Sequence, residues 1–374
     1  MIRRIAALVR KEFIHLIKDW WLPAFMLFGG ALELVLVGWA TSRPITNLPL
    51  LVWDQDQSAE SRSVVTALIN TNTFRLEDEV QSMKPIEEAL EKGDITAAVI
   101  IPPDYKENVT SPQGEPTLAV ILNGAESIPA KEALRAIEGV TRDQGEEITL
   151  QRIGLPEESF AGFDFSLRVW FNETLSEALY TTPAELGLML EFTVLLFAAL
   201  TFSRERELGT LEQLLVMPFS SLELMIGKSI PVILVGLFDF SLMLSMVHFA
   251  FGVPVRGSLI LLGLLALGYI LVELSKGMVI SIISRSQHQA FLLVLLVGMV
   301  DFMFTGYAAP VEGMPVALQW IANLIPAHHW LSILRGLLLK GAGLGILWPH
   351  VFALVFMGLI ISIFSWRFVR QYLD

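Results

Sequence analysis

Six stretches of this chain are apolar and long enough to cross a bilayer, and that property narrows the possible folds more than any other. They run roughly over Trp20–Ala40, Leu186–Phe202, Ile230–Phe251, Leu259–Ile283, Ala290–Phe304 and Leu347–Trp366. Hydrocarbon offers no water to satisfy backbone N–H and C=O groups, so a spanning segment is a helix or part of a closed barrel. Runs of about 20 apolar residues fit helices. The second and fifth runs are short, and their helices are expected to extend past these limits. Composition agrees: 53% of the residues are hydrophobic and 17% charged, against about 25% charged in soluble domains. The first run follows a basic stretch but is longer than a signal-peptide core, and no small-residue cleavage site is evident, so it reads as an uncleaved anchor.

Basic residues set the orientation. Arg3, Arg4, Arg10, Lys11, Lys18, Arg204, Arg206, Lys228, Arg285, Arg367 and Arg370 fall on one side, 11 in all, whereas the short loops opposite hold Arg256, Arg335 and Lys340. The positive-inside rule then puts both termini in the cytoplasm. Between the first two spans, Arg43 to Thr182 carries 11 basic and 24 acidic residues, a net of −13 out of −12 for the whole chain. This long acidic segment lies outside, and its composition is that of a soluble domain. No basic patch suits a nucleic acid. The chain contains no cysteine, which excludes disulfides, thiolate metal sites and cysteine nucleophiles.

Residues 1–19 form a separate element. Ile2, Ile5, Val9, Phe13, Leu16 and Trp20 recur at helical spacing beside Arg3, Arg10, Lys11 and Lys18. That pattern predicts an amphipathic helix in the inner membrane interface; the plainer reading is a basic flank of the first span. Residues 20–42 are then span one and 43–182 the outer domain. Within that domain, Pro49–Val52 predicts a strand, followed by a helix capped at Ser58 or Ser61 and carrying Val64, Val65, Leu68 and Ile69. Ile95–Ile101 and Thr117–Leu122 predict further strands, and Pro129–Arg152 a long polar helix. Alternating strands and helices indicate a small α/β domain. The fold class is therefore a mainly α polytopic membrane protein, six spans with an α/β extracytoplasmic domain between the first and second. Residues 183–374 hold the other five spans, an inner loop at 203–228 and an outer segment at 307–330. In that outer segment, Val316, Leu318, Trp320, Ile321 and Leu324 are too few to span and suit a re-entrant or interfacial piece.

The inner loop is the most informative stretch. Arg204, Glu205, Arg206 and Glu207 are expected to stop span two. Leu208, Leu211, Leu214 and Leu215 then share one helical face, and Pro218 ends it. Ser220 or Ser221 caps the next helix, with Glu223 in its first turn. A short amphipathic helix between spans either lies on the membrane or presses into a partner. Gly227-Lys228-Ser229 matches the end of a phosphate-binding loop, but Leu222 stands where the first glycine is needed and no strand precedes it. Gly341-x-Gly343-x-Gly345 precedes a span and reads as a loop.

Glu205 to Leu215, reading Glu-Arg-Glu-Leu-Gly-Thr-Leu-Glu-Gln-Leu-Leu, resembles the cytosolic loop of ABC-2 type transporter permeases. Asp54-Gln55-Asp56-x-Ser58, Val99 to Asp104, Ile280-Ser281 with Gln287-x-Gln289-Ala290, Gly306, Pro310 to Pro315, Pro326 and Arg335-Gly336 resemble other parts of that family, so the likeness covers most of the chain. Asn123-Gly124-Ala125 and Met217 before Pro218 depart from its pattern. The resemblance implies a permease subunit of a multidrug-exporter-like ATP-driven transporter, with no cofactor of its own. Two such subunits, identical or not, would form the pathway in a bacterial inner membrane. A cytosolic ABC ATPase would bind ATP and Mg and dock on the inner loop. It also assigns the coupling role to Glu205, Arg206, Glu207, Gly209, Thr210, Glu212 and Gln213. A periplasmic adaptor and an outer-membrane channel are further partners that such an exporter can have.

Ionisable residues at membrane depth are costly, on the order of 3 kcal/mol for an acid or lysine at mid-helix. Glu33, Asp239, Glu273 and Lys276 are candidate pathway residues; Glu191, His248 and Asp301 also fall inside or near the spans. Glu273 and Lys276, at i and i+3, can pair on one helix face. Structural pairing and snorkelling are the plainer explanations. His328-His329 predicts no metal site, because adjacent helical residues do not face one point and no carboxylate completes a set. Two other functions remain open on the residues alone. One is an ion-coupled secondary transporter that uses the buried charges. The other is a membrane-anchored sensor or binding protein built around the outer domain.

Overall fold

The computed structural model describes residues 1–41, 45–153, 170–172 and 176–373. The boundary residues 42–44, and the side chain of Leu215 in the expected apolar face, lie outside what is described. The chain divides into two compact units, Met1–Arg43 with Arg168–Asp374, and Pro44–Leu167.

Among the described residues, six helices have the length and hydropathy to cross a membrane: α2 (Trp21–Thr41), α7 (Glu177–Glu207), α9 (Ser221–Phe251), α10 (Leu259–Ile283), α11 (Gln287–Phe304) and α14 (Leu344–Leu373). α7 is the hub. It is apolar on every side, so it is buried on every side, and α2, α9, α10, α11 and the short α13 (Pro326–Arg335) all pack on it. Hydrophobicity alone does not drive helices together in lipid, and close packing through small residues does. Gly277 of α10 shows this. A Cβ there would stand 2.5 Å from the Ala198 side chain and 2.7 Å from the Leu195 carbonyl oxygen of α7. α2, α11 and α14 instead leave broad apolar faces exposed, including Phe28, Met299 and Phe352.

α7 ends with the four charges Arg204 to Glu207, and the break comes at Gly209, whose φ is +70°. α1 (Ile2–Lys18) forms and packs on α9, with Leu8 buried. Leu8 packs so closely that a Cβ at Gly227 would meet it at 2.7 Å. The outer segment forms α12 (Val316–Ala322) and α13, followed by a π turn at Gly336–Lys340.

The second unit is a four-stranded sheet in the order β2-β1-β3-β4, comprising β1 (Leu48–Asp54), β2 (Phe74–Glu79), β3 (Ala97–Ile101) and β4 (Ala119–Leu122). β1 runs parallel to β2 and β3, with Leu48 opposite Phe74 and Leu50 opposite Ala97, and β4 is antiparallel to β3. Side chains alternate across a strand. Leu50 and Val52 therefore join Val64 and Leu68 of α3 (Ala59–Asn70) and Ile137 of α6 (Ser127–Ile153), while Leu51 and Ala98 meet Ile86 of α4 (Met83–Lys92) on the other face. α5 (Tyr105–Thr110) packs on α3 and α6. β2, reading Phe-Arg-Leu-Glu-Asp-Glu, is a charged edge strand with little apolar alternation, and the sequence reading did not include it.

The turn after β1 is held by one carboxylate. Asp54 accepts from Asp56 N–H at 3.0 Å, Gln57 N–H at 2.9 Å and the Ser61 hydroxyl at 2.6 Å. Ser61 is fully buried and completes a capping box with Ser58. Asp54→Ala is expected to loosen α3 by about 2 kcal/mol, read in the intact chain as roughly 30-fold faster hydrogen exchange over Ala59–Asn70.

Candidate functional site

Three consecutive charges, Glu205-Arg206-Glu207, tie the end of α7 to four other helices. Glu205 is buried. Its Oε1 takes Lys11 Nζ of α1 at 2.5 Å and Lys228 Nζ of α9 at 3.4 Å, and Thr210 Oγ1 donates to its Oε2. Lys228 is itself buried and reaches Glu12 of α1 at 2.6 Å and the Thr201 carbonyl at 3.0 Å. Arg206 donates to the last carbonyls of α10, at Ser284 and, at 2.9 Å, Ile282. Glu207 Oε2 accepts from Gln287 N–H at the first turn of α11 at 2.7 Å. These are the favourable ends for each sign: a cation at a helix C-terminus and an anion at an N-terminus. Arg204 pairs with Asp19 just before α2.

Beyond Gly209 the chain turns into α8 (Leu211–Val216). Thr210 holds the turn through its N–H to the Glu205 carbonyl at 2.9 Å. Leu211 and Leu214 face inward, and Leu214 packs with Leu8 and Leu224. The opposite side is open. Gly209, Glu212, Gln213 and Pro218 are exposed, as are Leu208 (58%), Val216 (87%) and Met217 (49%). The seven residues assigned by resemblance thus separate into two groups. Glu205, Arg206 and Thr210 are internal, whereas Gly209, Glu212 and Gln213 are outward; Glu207 is exposed yet bonded to α11.

The intramembrane candidates also separate. Glu273 and Lys276 are paired as their spacing predicted, at 2.8 Å. Lys276 also reaches Asp301 of α11 at 2.7 Å and Glu191 of α7 at 3.5 Å, so one ammonium joins three helices. Tyr269 donates to Glu191 at 3.1 Å and stacks on Trp330 of α13 with ring centroids 5.0 Å apart. The three carboxylates offer oxygens within 4.8 Å of one another, a spacing open to a metal ion, but Lys276 stands among them and supplies the positive charge. Asp239 is buried on α9 beside Thr193 and joins no such network. Glu33 makes no ion pair among the described residues. It lines a cavity of about 470 Å³ between α2, α7 and α11. Nearer the outer end, Tyr307 donates to Glu185 at 2.6 Å.

The sequence reading missed the partners of the inner charges. Lys228 reads in the sequence as one of the inner-side basic residues and as the end of a phosphate-loop near-match, and Glu12 carries no signal of its own. A lysine about two turns into an apolar helix is the available signal. His328 Nδ1 meets the Thr305 carbonyl at 3.2 Å, and His329 Nδ1 meets His350 Nδ1 of α14 at 3.0 Å, the His328 and His329 ring centroids lying 5.3 Å apart. Removing Lys228 leaves Glu12 without its ammonium and Glu205 with Lys11 alone. Lys228→Met is expected to cost on the order of 3 kcal/mol, measured as a lower unfolding temperature in detergent, with Glu205→Gln in the same chain recovering part of it.

The profile of the ABC-2 family transporter proteins matches residues 20–367. Curated relatives agree over nearly their whole length. The protein named "Probable multidrug ABC transporter permease YbhR" of Escherichia coli strain K12 is 27% identical over 355 residues, 95% of each chain. "Inner membrane transport permease YhhJ" of the same strain is 26% identical over 359 residues, 96% of this chain and 94% of its own. "Probable multidrug ABC transporter permease YbhS", also from that strain, is 25% identical over 377 residues, 100% of this chain and 98% of its own. Membership implies pairing with a cytosolic ABC ATPase, where ATP hydrolysis resides, and with a second permease subunit. This chain belongs to the ABC-2 family, as a multi-pass membrane permease subunit.

Proposed function

We propose that this subunit exports hydrophobic or amphipathic compounds, of drug or lipid class, from the cytoplasm or inner leaflet of a bacterial inner membrane. ATP and Mg act in the partner, and the partner docks on residues 208–218. The observation that carries the docking surface is the open edge of α8: Leu208, Val216 and Met217 are exposed apolar residues next to Glu212 and Gln213. A protein-facing patch has this composition, apolar at its centre and polar at its rim. The edge is also stiffly mounted. Thr210 and Glu205 join it to the end of α7, and buried ion pairs join that end to α1 and α9. A push on α8 therefore bears on the central helix of the bundle.

In this reading, Glu205, Arg206 and Thr210 transmit force without touching the partner, while Glu212 and Gln213 touch it. The drug class rests on the multidrug relatives and on the apolar cavity. The outer domain is the natural meeting point for a periplasmic adaptor and an outer-membrane channel.

The test separates surface from scaffold. Leu208→Asp with Val216→Asp is expected to lower ATP-driven transport in vesicles at least about tenfold, equivalent to about 1.4 kcal/mol of docking, with an unchanged unfolding temperature. Glu205→Gln should lower the unfolding temperature as well. Undiminished transport by the double aspartate chain would remove the docking surface.

A further inference from the structure

α2 is pinned to the bundle by polar contacts at its two ends and packs closely between them on one face, through Gly30, Ala31 and Leu34. At the inner end Asp19, two residues ahead of it, pairs with Arg204. At the outer end Thr41 Oγ1 lies 2.8 Å from Thr181 Oγ1 of α7. On its other face α2 borders, with α7 and α11, the cavity of about 470 Å³, open on one side where Glu33, Phe25 and Met299 are exposed; that volume is usual for small-molecule sites. Gly29 faces open space there: a Cβ added to it would meet nothing within 4 Å.

The walls are aromatic and thioether groups, Phe25, Phe192, Phe291 and Phe302 with Met189 and Met299. Glu33 is the single charged group among the described lining residues. It lies 12 residues into α2, about 18 Å along the helix at 1.5 Å per residue, well inside the apolar layer. A carboxylate at that depth calls for a counter-charge, and no described residue supplies one by an ion pair. Ring faces attract cations, and methionine adapts to varied apolar shapes. The remaining polar wall group, Thr193, adds no charge.

We propose that this cavity binds lipophilic organic cations, with Glu33 as the counter-ion and the rings and methionines as the apolar seat. The proposal rests on the export reading for its purpose but not for its test, because binding needs neither ATP nor the partner. Glu33 sets the sign of charge that is accepted, and the gap beside Gly29 sets the size.

Tetraphenylphosphonium and tetraphenylborate share shape and size and differ in charge. With the chain purified in nanodiscs, and empty nanodiscs subtracted, the cation should bind and the anion should not. Glu33→Gln should weaken the cation at least about tenfold and narrow the difference between the two ions, while Glu33→Asp retains most of the affinity. Gly29→Leu fills the space and should remove binding whatever the charge. Unfolding temperatures read in the same samples should stay at the parent value, since neither side chain has a partner to lose. Equal binding of both ions, or cation binding untouched by Glu33→Gln and Gly29→Leu, would overturn the proposal. So would Gly29→Cys chains that cross-link to one another at a rate the cation does not slow, because the cavity would then hold a second copy. If the binding fails while ATP-driven transport of neutral compounds persists, the cation site falls and the exporter stands.

Discussion

The pairing of Lys228 with Glu205 and Glu12 is the interaction on which the inner half of the structure depends. A buried ammonium and two carboxylates are costly apart and tolerable together. They belong to α9, α7 and α1, so these three helices hold a fixed relation for as long as the charges stay paired. Lys11 adds a second bond to Glu205, and Arg206 and Glu207 extend the same helix end to α10 and α11. The inner loop is mounted on this assembly, and only its outward edge remains free for another protein.

A second charged junction, around Lys276, plays the corresponding part at membrane depth. Its three carboxylates come from α7, α10 and α11. Both junctions use a lysine as the centre and acids from neighbouring helices as the rim. Glu33 and Asp239 stand outside this scheme. Their positions, one on a cavity wall and one beside a threonine, give them different surroundings from the acids that brace the bundle.

Much of this fold was legible before any coordinates. The apolar runs marked the six spans because hydrocarbon leaves the backbone no alternative, and Pro49 to Val52 and Ile95 to Ile101 marked strands. β2 was not legible, because an edge strand of charged residues has no apolar period to detect. The end of α7 was legible, because a run of four charges closes the span; that other helices meet those charges was not. The partners were beyond sequence reading, since Lys11 and Glu205 are 194 residues apart and Glu12 and Lys228 are 216 apart. Periodicity reports which face of a helix is apolar, not which helix will meet it. The one intramembrane pair that was foreseen, Glu273 with Lys276, is the one set by local geometry.

The contact of Gly277 with Ala198 and the Leu195 carbonyl has a mechanical consequence. Backbones that close leave no side chains to yield between them, so α7 and α10 shift as one plate. Any opening of the bundle that leaves this joint intact must carry the two helices together, as a single keel.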